Sequence, residues 1–394
     1  MILAEKHIIK KNDYRFEDLQ NICRLSKNLY NVALYKIRQQ FFEDGKFLTA
    51  FSLDGILRKN QDIDYNALPQ KVSQQTLKMV EQNFKSFFGL LKLKTKGKYD
   101  GKVRLPKYLD KDGYFVTTYT NQAISKVALK EGFIQFSKTN IKIKTDVKDV
   151  QQVRIIPKGN HIVVEVLYVV KEKDFKDDNG RYCSIDLGVN NMATIGSNVL
   201  KPIIINGKPL KSINQYYNKQ LAKLKSELKN EKKTSRRIKS LTAKRNNKVN
   251  DYLHKSSRLI VNYLVSNNIS TLVIGKNKEW KQNANIGKRN NQNFIQIPHT
   301  RFIDLITYKC KLEGITVIVK EESYTSKCSF MDNEPIKKHS SYLGKRVKRG
   351  LFQTKEKRLI NADLNGSLNI LRKAVGEFQY PIEVCSTPLV LTIK

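Results

Sequence analysis

The chain of 394 residues carries 73 Lys and Arg against 36 Asp and Glu, a formal charge of +37. Self-repulsion of that size destabilises a compact state unless a polyanion offsets it, which argues against a small-molecule enzyme and for a nucleic-acid partner. The basic residues run from end to end instead of gathering in one tail, so a broad track across the folded surface is expected. Five scattered cysteines with no CxxC pair argue against a disulfide framework and for a reducing compartment, and no apolar run is long enough to span a bilayer.

Residues 4–9 read as a short strand. Asp13 is then the expected N-cap of a helix with Phe16, Leu19, Ile22, Leu29, Ala33, Ile37 and Phe41 on one stripe. Beyond a polar stretch, Leu68-Pro69 opens a second helix. Its Val72, Leu77, Val80, Phe84, Phe87, Phe88 and Leu91 are apolar, and Lys71, Lys78 and Lys85 make a basic side. A solvated helix face is the plain reading of those lysines, and contact with a phosphate backbone is the functional one. From Gly97 the periodicity changes to short strand-like runs at 114–117, 133–136, 141–143, 153–156 and 161–166, a spacing that suggests a small β-barrel. The barrel would comprise 1–12 and 96–178, with 13–95 as a helical insertion and 173–180 as a linker.

The second half predicts a strand–turn–strand at Tyr182–Ile195 with Asp186-Leu187-Gly188 at the bend, then a strand at 202–207. A long helical hairpin follows over 211–266, with a basic tip that includes Arg236, Arg237 and Arg245. A strand at 271–274, a helix from Pro298, a strand at 315–319 and a helix from Ala362 complete the order. The fold class expected is a multidomain α+β or α/β chain, with a small barrel followed by a mixed sheet.

Acids stand at particular junctions of this second half. Asp186 ends its first strand, Glu321 and Glu322 follow its last, and Asp363 opens the final helix. If the first, fourth and fifth strands run parallel and adjacent, their carboxyl ends share one edge, where Asp186, Glu322 and Asp363 can meet. Three carboxylates suit Mg²⁺ or Mn²⁺, hard ions that prefer oxygen. Two such ions, about 3.5–4 Å apart, can activate a water and stabilise the leaving oxygen of a phosphodiester.

Three stretches then carry a resemblance: Cys183-Ser184-Ile185-Asp186-Leu187-Gly188, Tyr324-Thr325-Ser326-Lys327-Cys328-Ser329, and Asn361-Ala362-Asp363-Leu364-Asn365-Gly366-Ser367-Leu368-Asn369-Ile370. In order, they resemble the split RuvC nuclease motifs of TnpB proteins, transposon-encoded RNA-guided DNA nucleases related to type V CRISPR effectors and Fanzor proteins. The resemblance covers nearly the whole chain. It implies an RNase H-like (RuvC) mixed sheet over 179–320 and 359–394, preceded by a wedge-type barrel with a helical recognition insertion. Asp186 matches the first acid of that site and Asp363 the last. Where the family usually has a glutamate on the fourth strand this sequence has Gly275, so Glu322 is read as a relocated third carboxylate, with Glu321 and Glu279 in reserve. Of the family's two CxxC-like pairs only Cys328 remains, and Met331 stands where a second cysteine would be. Structural zinc is therefore not expected, and 321–358 reads as a basic loop insertion with Lys345, Arg346 and Arg349 near the site.

The implied activity is RNA-guided DNA cleavage on behalf of a mobile element, with a two-ion Mg²⁺ or Mn²⁺ site. The implied partners are a guide RNA from the element, a double-stranded DNA target and its displaced single strand. No membrane is involved, and the setting is the cytoplasm of a bacterium or archaeon. Two rivals stay open: a nuclease-inactive RNA-guided DNA-binding repressor, motivated by Gly275, and a metal-dependent nuclease or DNA-joining transposase that uses no RNA.

Overall fold

In a computed structural model the chain is described over residues 1–229, 232–277, 287–378, 380 and 388–393. It divides into two compact units, Met1–Lys171 and Glu172–Lys394. In the first, β1 (Ile2–Lys10) is followed by α1 (Phe16–Asp44), α2 (Ala50–Lys59), α3 (Ile63–Asn66) and α4 (Gln70–Thr95). Then come β2 (Thr117–Thr120), α5 (Lys126–Lys130), β3 (Phe133–Gln135), β4 (Lys142–Lys144), β5 (Val150–Pro157) and β6 (His161–Val169). Phe16, Leu19, Ile22, Leu29, Ala33 and Ile37 of α1 are buried in one core with Val72, Leu77, Val80 and Phe84 of α4, as their helical spacing requires.

Three features of this unit were not given by local sequence. Asp13 does not cap α1: its carboxylate is taken by Arg15, in an ion pair of 2.6 Å, and the helix starts at Phe16 with Arg15 as its N-cap. The polar stretch before Leu68 holds α2 and α3, capped by Thr49 and Asp62 through the backbone N–H groups of Ser52 and Tyr65. Finally, among the described residues the strands form an open antiparallel sheet, β1-β6-β5-β2, with β3 and β4 paired separately; no ladder closes a barrel. β2 is four residues long, begins three residues later than its apolar run suggests, and pairs only with β5. Closure is decided by such long-range pairing, which local strand spacing does not encode.

The second unit opens with β7 (Tyr182–Leu187), β8 (Asn191–Ser197) and β9 (Ile203–Asn206), then α6 (Lys208–Ser226) and α7 (Arg236–Ser266). It continues with β10 (Thr271–Gly275), α8 (Lys288–Ile295), α9 (His299–Leu312) and β11 (Thr316–Lys320). The short strands β12 (Lys345–Lys348), β13 (Leu351–Gln353) and β14 (Leu359–Asn361) precede α10 (Ala362–Val375) and β15 (Leu389–Leu391). Its main sheet has the order β11-β10-β7-β8-β9-β15. β7, β10 and β11 are parallel neighbours, and β8 is antiparallel to β7.

The stretch read as a basic loop is partly strand. β12, β13 and β14 form a three-stranded antiparallel sheet, pinned by Phe352 and Ile360 to a small core with Phe330, Leu364 and Leu368. Glu334 is buried within it, accepting the Ser329 N–H at 2.7 Å and the Leu343 N–H at 2.9 Å. Cys328 Sγ lies 3.4 Å from the Pro335 carbonyl, and His339 Nε2 bonds to that same carbonyl at 2.7 Å.

Candidate active site

Period-two alternation decides which side chains of the central strands reach the site. On β7, Cys183, Ile185 and Leu187 enter the core that contains Leu253 and Ile260 of α7 and Phe302 and Ile306 of α9. Ser184 and Asp186 therefore face α10. Ser184 Oγ donates to the Ser367 carbonyl at 2.7 Å, and Ser367 Oγ accepts the Gly196 N–H at 3.0 Å. β10 repeats the pattern: Val273 packs on Ile370 and Leu371 of α10, so Gly275 faces that helix too.

Two glycines allow the close approaches. A Cβ on Gly366 would stand 2.8 Å from Asp186 Oδ2, so only a residue without one lets α10 rest on that carboxylate. A Cβ on Gly275 would stand 2.7 Å from Glu322 Oε2. The position where the family's glutamate is missing is thus the place into which Glu322, two residues beyond β11, delivers its own carboxylate. Its backbone is held there by the Asn277 side chain, which accepts the Glu322 N–H at 3.1 Å. Glu321 points elsewhere, paired with Lys373 at 2.6 Å, and Glu279 lies outside the described residues.

Asp363, in the first turn of α10, has both oxygens engaged. Asn191 Nδ2 donates to Oδ2 at 2.7 Å and Arg346 lies 3.3 Å from Oδ1. Asn361 caps the helix beneath it, accepting the N–H groups of Asp363 and Leu364. Asn365 and Asn369 reach the other way. Their amides donate to the Cys328 carbonyl at 2.9 and 2.8 Å, and Asn369 also bonds the Thr325 carbonyl, tying the loop after Glu322 to α10.

Asp186 feels the charges of the other two acids. Burial, then the charges of Asp363 and Glu322, push the Asp186 carboxyl well above its ordinary range, with Arg346 opposing. Burial and then Glu321 push Glu322 up to about 7, against the pull of Lys373. Glu322 Oε2 is buried and has no hydrogen-bond partner among the described residues.

An orphaned buried carboxylate oxygen, beside a second carboxyl that burial and neighbouring acids push upward, fits a hard divalent cation. Asp186, Glu322 and Asp363 are the residues that would hold it. Among the described residues no three such groups already stand at ligand spacing.

The nucleic-acid candidates fall into different settings. Lys71, Lys78 and Lys85 are exposed along α4, with Lys85 paired to Glu81 at 2.8 Å. Arg236, Arg237, Lys345 and Arg349 are exposed, whereas Arg346 sits on Asp363. Arg245 is half-buried, donating from Nε to Asn214 at 2.8 Å and from Nη2 to the Gln296 carbonyl at 2.9 Å. Sequence reading missed Asn191, Gly366 and Glu334. Gly366 lies inside the motif that carries Asp363, but nothing local marks the other two.

The architecture is mixed α+β with a mixed sheet, and it matches the Cas12f-like RuvC arrangement. A cryo-EM structure of a Cas12f1–sgRNA–target DNA complex aligns with a TM-score of 0.56 at 16% identity, covering 90% of this chain and 82% of that one. Residues 161–281 match the probable transposase family OrfB_IS605, and residues 299–370 match the Cas12f1-like TNB domain. The TnpB-like protein ORF457 of Acidianus two-tailed virus is 25% identical over 422 residues, covering 93% of this chain and 85% of its own. The chain is thus similar to TnpB-like proteins over most of its length, and to the OrfB_IS605 and Cas12f1-like TNB models over two separate stretches.

Proposed function

We propose that this protein is an RNA-guided DNA endonuclease of a mobile element, hydrolysing phosphodiesters at a RuvC-type site completed by Glu322. One juxtaposition carries the reading: Asp363 and Glu322, both far from Asp186 in sequence, bring their charges to bear on it at one sheet edge of a protein whose formal charge is +37. Acids clustered against that background repel both one another and a nucleic acid, an arrangement that serves a cation between them. Two bound Mg²⁺ or Mn²⁺ ions would supply water activation and charge stabilisation at the leaving oxygen. The chain's own part is positional. β7 and Gly366 fix Asp186, Gly275 gives Glu322 its place, Asn191 orients Asp363, and Arg346 offsets the charge of Asp363. The basic surface holds guide RNA and target DNA, base pairing supplies sequence specificity, and the protein reads a short motif beside the target.

The test is to purify the protein from its native locus, sequence any discrete RNA that accompanies it, and offer the complex a DNA target library with Mg²⁺. Guided cleavage that vanishes in Asp186→Ala and Glu322→Ala, with RNA still bound, is the expected result. Cleavage indifferent to RNA removes the guide from the account. Guided binding without cleavage by the wild type selects a repressor, the second reading, which Gly275 and the engaged Asp363 favour.

A further inference from the structure

α6 and α7 pack as an antiparallel pair, and a cavity of about 700 Å³ opens between them. Helical spacing brings Ile213, Tyr216 and Tyr217 of α6 to face Leu241, Lys244 and Lys248 of α7. One wall is rigid. Arg245 stacks over the Tyr217 ring at 5.7 Å, its Nε and Nη2 are spent on Asn214 and Gln296, and the Tyr217 hydroxyl lies 3.1 Å from Thr242 Oγ1. The other side is open. Tyr216 is 64% exposed, and Lys244 and Lys248 stand exposed beside it in the cavity lining.

A cavity of similar volume in the first unit makes a useful contrast. It is lined by Lys126, Lys130 and Lys148 but by no aromatic ring, so it offers charge without a stacking platform. The α6–α7 cavity has both, on apolar Ile213 and Leu241, and its size lies within the roughly 300–1,000 Å³ of small-ligand sites. A base needs an exposed π face and an apolar floor, and its phosphate needs one or two cations a few ångströms further out.

We infer that this cavity receives one unpaired nucleotide, its base stacked on Tyr216 and its phosphate between Lys244 and Lys248. The inference rests on the nucleic-acid function proposed above and adds a site to it. A duplex keeps its bases stacked inside and cannot use the ring. The nucleotide therefore comes from a single-stranded stretch, either of the bound RNA or of a displaced DNA strand.

The experiment measures binding of the full-length chain, freed of RNA, to rU20, dT20 and a mixed-sequence 20-bp duplex over a range of salt. Tyr216→Ala is expected to weaken single-strand binding about tenfold at every salt concentration, because stacking is not ionic, and Tyr216→Phe to retain it. Lys244→Gln with Lys248→Gln is expected to flatten the salt dependence by about 0.7 in slope, for the one phosphate charge no longer neutralised. Duplex binding is expected to move less than twofold in Tyr216→Ala. Weakening with rU20 alone assigns the nucleotide to RNA, and weakening with dT20 as well admits the displaced strand. Tyr216→Ala within twofold of wild type on both single strands, with an unchanged thermal midpoint, overturns the site. An equal weakening on duplex does the same. Wild type that binds neither single strand nor duplex instead overturns the function on which the site rests.

Discussion

Two partly or fully buried glutamates, twelve residues apart, behave in opposite ways. Glu334, inside the small three-stranded region, is 2% exposed and gives its oxygens to the N–H groups of Ser329 and Leu343. Glu322, at the end of the central sheet, has a buried oxygen with no partner among the described residues and is pushed up to about 7. The first carboxylate works as a knot, joining the backbone at Ser329 to that at Leu343. The second is held at the expense of stability, as expected of a group positioned for a ligand. Burial alone therefore does not identify a functional acid; what its oxygens touch does.

The sharpest way to break this contrast is at the sheet edge. Asp186→Asn is expected to lower guided cleavage by on the order of 10³-fold, about 4 kcal/mol of barrier, with RNA binding intact in a copurification assay. Glu334→Ala should leave cleavage chemistry alone but cost about 3 kcal/mol in denaturant unfolding of the second unit, since two buried N–H groups would be left without an acceptor. Abolished cleavage with unchanged stability in that variant would move Glu334 out of its structural role.

Glu322→Gln sharpens the comparison through pH. Its pKa is higher in the folded chain, about 7, than the ordinary 4.5, so the native state binds more protons between those values. The stability this contributes is complete below about 4.5 and is lost as pH rises through 7. In chelator, the wild type should therefore lose roughly 2 kcal/mol relative to Glu322→Gln between about pH 4.5 and 7.5, allowing for solvent at the rim. Parallel stability curves for the two proteins would contradict the desolvated carboxyl. The smallest effect expected is for Asn191→Ala, which frees Asp363 Oδ2. Cleavage should fall about tenfold, chiefly in kcat, with RNA affinity unchanged.

Much of the architecture was legible because it is written in local period. The α1 and α4 stripes, the β7–β8 turn, the α6–α7 pair and the β10 and β11 runs all follow from where apolar residues recur, since burying one face is the dominant favourable term. The ordered motifs around Asp186 and Asp363 pointed to the family that the comparisons support. Other features depend on partners far along the chain or on competing local pairs. The first unit's open sheet turns on which strand β2 pairs with, and Asp13 gives up a capping role for an ion pair with Arg15. Lys345-Arg346-Val347-Lys348 lacks strand alternation and is ordered through β13, whose Phe352 finds a core with α10. The residue types at the candidate site belong to the sequence alone. That Glu322 reaches the space left by Gly275, that Gly366 admits Asp186, and that Arg346 lies on Asp363 were decided by tertiary packing, because each is a distance between groups on separate elements.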